Sequence, residues 1–233
     1  MKEERRTEIE IQIGYDEEKN KININFKEVR NLLVIGTTGG GKSIALNRII
    51  MNLIEKYSEE EIEIVPIDTC TVELSAFYGI PHYVTGVYSD GRILEEIYEK
   101  SYNREGDNNI PLFIIIDDVY DIYRQNPNYL KMIEEMMKKT GRSNIHFIIA
   151  TDTPTEELLT NELKYECRGK LFLTLSPGEE KDFGLKKELT QEEWDYTSQI
   201  GNGILKVNDI SKKISIDMPT DKEIEKLVEK EKN

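Results

Sequence analysis

LLVIGTTGGGKS, residues 32–43, joins a continuously apolar strand to a helical pattern that runs from Ser43 to Lys56. The turn between them fills every position of G-x-x-x-x-G-K-[ST]. Glycines let backbone N–H groups close around phosphate oxygens, and the N-terminus of the following helix adds positive potential. The stretch therefore predicts a phosphate-binding loop in an α/β fold. A glycine-rich turn that merely caps a helix is the alternative.

The side chains of this loop suit a nucleoside triphosphate and its metal ion. In this motif Lys42 reaches the β- and γ-phosphates, and the hydroxyl of Ser43 ligates Mg²⁺. A nucleoside triphosphate and Mg²⁺ are therefore the predicted cofactors. The predicted nucleotide-binding residues of the loop are Gly36, Thr37, Thr38, Gly39, Gly40, Gly41, Lys42 and Ser43.

A second apolar strand, LFIII at residues 112–116, runs into the carboxylates Asp117 and Asp118. In a fold with a phosphate-binding loop, the carboxyl end of such a strand faces the phosphates. We therefore predict that Asp117, together with Ser43, forms the metal site, with Asp117 holding Mg²⁺ through water. Asp118 is predicted to orient or deprotonate the attacking water, and a solvated acid at a strand end is the alternative for it.

Strand-like and helix-like segments alternate through the middle of the chain. Apolar runs predict strands, and apolar residues at helical spacing predict helices. Strands are predicted at 62–67, 112–117, 145–150 and 170–175, and helices at about 90–102, 128–140 and 155–164. Such alternation predicts a mainly parallel sheet flanked by helices, and it leaves the strand order open.

The two ends of the chain differ from this alternating middle. Near the start, two short segments alternate apolar and polar residues around a charged turn, which predicts a β-hairpin with one solvated face. The tail has a narrow apolar stripe and opposite charges at helical spacing. We predict an N-terminal β-hairpin extension packed on the core (1–30), a nucleotide-binding core (31–220) and a charged C-terminal helix (221–233).

The charge balance limits the classes of partner. The chain of 233 residues carries 31 Lys and Arg against 45 Asp and Glu, a net charge of −14. An overall basic surface for nucleic acid is therefore excluded, and any such role needs local basic loops. No apolar run approaches the length of a membrane-spanning helix, so we expect no direct membrane insertion. Two cysteines in unrelated segments favour the reducing cytoplasm.

Several further stretches share a pattern that nucleotide binding alone does not demand. They are ID at 67–68, VELS at 72–75, GIPH at 79–82, GRSNIH at 141–146, ATDTP at 150–154 and GNG at 201–203. Together with residues 31–39 they resemble the motor domain of FtsK/SpoIIIE-type DNA translocases. The similarity extends over about residues 9–208.

This resemblance implies a RecA-like core that binds and hydrolyses ATP with Mg²⁺, assembles as a ring, usually a hexamer, and moves double-stranded DNA through its pore. Arg142 matches the arginine finger, which would reach the γ-phosphate of a neighbouring subunit; a surface arginine capping the preceding helix is the alternative. Asp152 ends a buried strand at the nucleotide edge, where it either supports the metal ion or is a solvated turn residue. Membrane anchoring, recruitment to the membrane and sequence reading would come from partner proteins.

The sequence also departs from the family pattern. Asp118 stands where the family has a catalytic glutamate, Asp152 replaces a glutamine, and no lysine follows Asp68. We expect nucleotide binding to survive these changes and turnover to be weakened. The alternatives are therefore an FtsK-like ATPase module of type VII protein secretion, as in EssC, and a nucleotide-gated assembly module with weak hydrolysis.

By the same resemblance, two loops facing the pore should grip DNA, one after Asp118 (residues 120–131) and one after Pro154. Lysine and arginine there can track phosphates without reading bases. The candidate DNA-binding residues are Arg124, Lys131, Lys164, Arg168 and Lys170. Because residues 155–182 hold seven acids against four bases, a solvated charged surface is the alternative.

Overall fold

Strands and helices alternate through the molecule. The computed structural model describes residues 8–70, 73–102, 104, 109–175, 188–208 and 210–232. The strands are β1 (Glu10–Tyr15), β2 (Lys21–Asn25), β3 (Leu32–Ile35), β4 (Glu63–Asp68), β5 (Leu112–Asp117), β6 (Ile145–Thr151), β7 (Gly169–Phe172), β8 (Asn202–Val207) and β9 (Ile210–Ser215). The α-helices are α1 (Phe26–Val29), α2 (Lys42–Lys56), α3 (Ile93–Ser101), α4 (Val119–Gln125), α5 (Pro127–Lys138), α6 (Thr140–Ser143), α7 (Asn161–Glu166), α8 (Gln191–Thr197) and α9 (Asp221–Glu231).

Within the described residues the strands form one sheet in the order β2-β1-β9-β8-β7-β3-β6-β5-β4. The strands from β7 to β4 are parallel to one another. From β7 outward through β8, β9, β1 and β2, the pairing is antiparallel. The predicted α/β fold is confirmed, and the sheet is a mixed one, with its parallel part carrying the phosphate-binding loop.

Strand β3, which lies between β7 and β6, is buried on both faces, which is why its sequence is continuously apolar. Leu32 and Val34 pack into one core cluster together with α2 and α9. Leu33 and Ile35 point to the opposite face, where they join a second cluster with α5 and α8. Two helical layers therefore hold β3, and the loop that follows it, from both sides.

The N-terminal strands β1 and β2 form an antiparallel hairpin at the end of the sheet. Side chains of α2 anchor it, since Asn52 Nδ2 donates to Gln12 O at 2.7 Å and Lys56 Nζ donates to Glu10 O at 2.6 Å. Helix α9 buries Ile224, Leu227 and Val228 in the cluster that also contains α2. The division of the chain into 1–30, 31–220 and 221–233 stays a prediction.

Two segments differ from the prediction. The helix expected over 155–164 begins only at Asn161, because the Thr160 hydroxyl caps it by accepting from Leu163 N at 3.0 Å. The loop conformation expected over 120–131 is wrong, since this stretch is helical, while its place at a pore stays a prediction. It forms α4 and the start of α5, and Asn126 caps α5 by accepting from Asn128 N at 3.1 Å.

Candidate nucleotide-binding site

The carboxyl ends of the parallel strands gather the predicted site residues at one edge of the sheet. Ile35, which precedes the loop, pairs with Thr151 at the end of β6, next to Asp152. On the other side of β6 lies β5, whose last residue Asp117 pairs with Asp68 at the end of β4. This edge therefore carries the phosphate-binding loop and several carboxylates.

The backbone of residues 36–43 requires its glycines. Gly39 and Gly41 have φ of +74° and +98°, the left-handed region in which side chains are disfavoured. A Cβ on Gly40 would lie 2.8 Å from Thr174 O and 2.9 Å from Thr37 O, too close for a real carbon. Helix α2 then starts at Lys42, so its first N–H groups point into the loop, as anion binding requires.

Lys42 lies at the bottom of this loop and is almost fully buried. Its Nζ donates to Thr37 O at 3.2 Å and lies 3.8 Å from Asp152 Oδ2. The same Oδ2 accepts a hydrogen bond of 2.7 Å from Thr38 Oγ1. Burial opposes ionisation of Asp152, but hydrogen bonds from Thr38 and Thr153 and the charge of Lys42 hold its pKa below the usual value.

The carboxylates of Asp117 and Asp118 both have raised pKa values. Burial, and then the carboxylate of Asp68, raise the pKa of Asp117 to about 6. Burial, and then the carboxylate of Asp152, raise the pKa of Asp118 to about 6. A pKa near 6 leaves a carboxylate that is mostly ionised at neutral pH yet is a stronger base than an ordinary aspartate.

The residues at this edge fit Mg²⁺. Ser43 offers a hydroxyl in the first turn of α2, and Asp117 offers a carboxylate whose pKa is raised by burial and by the nearby Asp68. In the part of the chain that the structure describes, no three His, Cys, Asp or Glu side chains are placed to hold a metal together. Mg²⁺ takes one or two protein ligands and completes its shell with water and phosphate oxygens, so Ser43 and Asp117 would suffice to hold it.

Asp118 has a structural role in addition to the predicted catalytic one. Its φ of 63° and ψ of 80° are left-handed, and its side chain caps α4 by accepting from Tyr120 N at 3.1 Å. Aspartate and asparagine tolerate that conformation better than longer side chains and are strong N-caps. The backbone therefore gives a reason for aspartate, rather than glutamate, at this position.

Arg142 lies at the opposite edge of the sheet. Helix α6, which contains it, immediately precedes β6, whose far end Thr151 adjoins the phosphate-binding loop. Seven strand residues span about 20 Å, so the backbone of Arg142 is far from the loop of its own subunit. The side chain of Arg142 lies outside the described part of the structure.

Comparison with known proteins shows what this arrangement resembles. The model of the FtsK/SpoIIIE family matches residues 2–100. The DNA translocase FtsK of Caldanaerobacter subterraneus is 26% identical over 200 residues, which cover 73% of this chain and 28% of that protein. The resemblance to the FtsK/SpoIIIE family is confirmed. The chain spans about a quarter of the length of the FtsK translocases it matches.

Solved structures share the fold of this FtsK/SpoIIIE-like chain. The cytoplasmic domain of the type VII secretion ATPase EccC of Thermomonospora curvata matches with a TM-score of 0.77 and 18% identity, covering 98% of this chain and 31% of EccC. The pCW3 conjugation coupling protein TcpA, in its monomer form with ATPγS, matches with a TM-score of 0.71 and 16% identity, covering 96% of this chain and 70% of TcpA. The fold is therefore that of RecA-like P-loop ATPase modules.

The five candidate DNA-binding residues of this FtsK/SpoIIIE-like chain lie on several different elements. Arg124 is exposed on α4 and Lys131 is exposed on α5, while Lys164 lies on α7. Arg168 directly precedes β7 and Lys170 is its second residue, at the end of that strand remote from the phosphate-binding loop. Acidic partners lie close to two of the five: Arg124 NH1 is 4.0 Å from Asp121, and Lys170 Nζ is 3.3 Å from Glu188.

Two residues of the site were not recognised as site residues from the sequence. Thr174, just beyond β7, holds the phosphate-binding loop by accepting from Thr37 N at 2.8 Å and from Thr37 Oγ1 at 3.2 Å. Asp68 is fully buried and accepts from the backbone N–H groups of Cys70 and Leu74. The position of Asp68, an acid at the end of an apolar strand, could have identified it as a site residue. Nothing in the sequence identifies Thr174, because its contact with the loop depends on the strand order.

No helix among the described residues combines the length and apolar character needed to cross a membrane.

Proposed function

We propose that this FtsK/SpoIIIE-like chain binds and hydrolyses ATP as a subunit of a ring, usually a hexamer, that moves double-stranded DNA through its pore. The observation that carries the proposal is the edge of the sheet where Lys42, Asp117 and Asp118 lie together. Because α6 is remote from the loop of its own subunit, an arginine finger at Arg142 requires a neighbouring subunit, as in a ring.

The proposed chemistry divides among these residues. Backbone N–H groups of the loop and Lys42 hold the β- and γ-phosphates, and Ser43 and Asp117 would hold Mg²⁺, which neutralises charge on the phosphates. Asp118, with a pKa of about 6, accepts the proton of the attacking water. Arg142 of the adjacent subunit stabilises the charge that develops on the transferred phosphoryl group.

The first test is the ATPase rate of the assembled oligomer with and without duplex DNA. We expect hydrolysis that duplex DNA stimulates, and we expect Lys42→Ala to abolish it, because the lysine is the cation of the phosphate site. A rate that is unchanged in Lys42→Ala would remove the ATPase proposal. A rate that is indifferent to DNA would remove DNA as cargo and leave ATP hydrolysis standing.

Protein cargo is the second candidate, and the charges of the predicted DNA contacts favour it. Asp121 and Glu188 compensate Arg124 and Lys170, in a chain whose net charge is −14. Binding of labelled duplex DNA across a salt series separates the two candidates. A DNA motor should bind with an affinity that falls steeply with salt, because phosphate contacts release counterions. Absence of binding even at low salt favours a peptide cargo.

A further inference from the structure

Asp152 lies against two side chains of the phosphate-binding loop, Thr38 and Lys42. Its Oδ2 accepts from Thr38 Oγ1 at 2.7 Å and lies 3.8 Å from Lys42 Nζ. Its Oδ1 accepts from Thr153 Oγ1 at 2.8 Å, so the carboxylate is held from both sides. With its side chain 25% exposed, Asp152 is a fixed negative charge beside the lysine.

A nucleoside triphosphate must share Lys42 with this carboxylate. Without a metal ion, the nucleotide adds several negative charges to an edge that also contains Asp68, Asp117 and Asp118. Like charges in a partly buried site repel one another strongly, since little solvent screens them. A divalent cation that arrives with the phosphates offsets this repulsion.

We propose that Asp152 makes the site select metal-bound nucleotide over metal-free nucleotide, by competing with the phosphates for Lys42. The inference rests on the proposed nucleotide binding and specifies which form of the nucleotide the site accepts. Asp152 is thus a specificity-determining residue, and its effect is on binding, independent of turnover.

The test is equilibrium binding of a fluorescent, non-hydrolysable ATP analogue to the full chain, in Mg²⁺ and in EDTA. The measured quantity is the ratio of the dissociation constant in EDTA to that in Mg²⁺. We expect Asp152→Asn to lower this ratio by about tenfold, mainly through tighter binding in EDTA. Glu156→Gln is the matched control, because it removes one negative charge from an exposed position four residues further along the chain, and it should leave the ratio unchanged.

An unchanged ratio in Asp152→Asn, or an equal fall in Glu156→Gln, overturns the proposal. Asp152→Gln repeats the measurement with a second neutral side chain in case the asparagine variant does not fold, as judged by circular dichroism. If neither variant folds, Asp152 serves folding and the proposal is likewise overturned. If the parent protein binds the analogue in neither buffer, the proposed nucleotide-binding function fails instead.

Discussion

At the scale of single residues, the proposed function of Asp117 conflicts with the stability of the fold. Burial and the nearby Asp68 raise its pKa to about 6, so its ionised form opposes folding at neutral pH. We expect Asp117→Asn to raise the free energy of unfolding, measured by urea in EDTA at about pH 8, by roughly 1–3 kcal/mol. The same change should abolish ATP hydrolysis that depends on Mg²⁺.

The stability gained in Asp117→Asn should depend on pH with a definite sign. The pKa of Asp117 in the folded protein lies above the unfolded value, so the destabilisation is complete above about pH 6 and disappears as the pH falls towards about 4. The difference in unfolding free energy between variant and parent should shrink over that range. Buried His146, whose pKa burial lowers to about 4, destabilises both proteins as the pH falls, so its effect cancels in the difference. A gain that does not vary with pH contradicts this account.

The two roles of Asp118 can be separated by a pair of substitutions. Asparagine also tolerates the left-handed backbone and caps a helix, so Asp118→Asn should keep or raise the free energy of unfolding. It should lower the ATPase rate by about 100-fold or more, since it removes the proposed general base. Asp118→Ala should lose both the cap, about 1 kcal/mol, and the activity. Full activity in Asp118→Asn would place the general base elsewhere.

At the scale of elements, one buried side chain ties β3 to its neighbours. Asn31 is fully buried; its Nδ2 donates to Glu166 O at 3.0 Å, and its Oδ1 accepts from Phe147 N at 2.9 Å. We expect Asn31→Leu to lower the free energy of unfolding by about 2–4 kcal/mol, because two buried backbone groups lose their partner. Asn128→Leu, on the exposed side of α5, should change it by less than about 0.5 kcal/mol. Equal losses of unfolding free energy in the two variants would contradict the proposed role of Asn31 in holding β3 to its neighbours.

The sequence predicted best the strands that are buried on both faces, because such strands are recognisable as apolar runs. β5 and β6 are mainly apolar runs, as strands buried on both faces are, and they lie at the expected residues. Helix α4 was not predicted, since it is short and buries only Val119 and Ile122. Its start also depends on the left-handed backbone of Asp118, which no hydrophobic pattern reveals.

At the scale of the whole molecule, the sequence could predict the phosphate-binding loop but not all of its neighbours. The loop motif and its position after a buried strand follow from local sequence. The placement of β3 between β6 and β7 joins segments more than a hundred residues apart, and it is this pairing that brings Asp152 and Thr174 to the loop. Contacts with Thr37 and Thr38 are therefore a consequence of strand order, which periodicity does not encode.

The position of α6 leads to a prediction about the ring. Each active site should combine the loop of one subunit with Arg142 of the next, so Lys42→Ala and Arg142→Ala subunits should each be inactive alone. Co-expressed in equal amounts, they should recover ATPase activity, because an Arg142→Ala subunit supplies the loop and its Lys42→Ala neighbour supplies the arginine. With random mixing about a quarter of the interfaces in a head-to-tail ring are complete, which sets the expected rate relative to the parent protein. The control is a subunit that carries both substitutions, mixed with Arg142→Ala subunits, and it should recover no ATPase activity. Activity of Arg142→Ala by itself would show that the arginine is not part of the site.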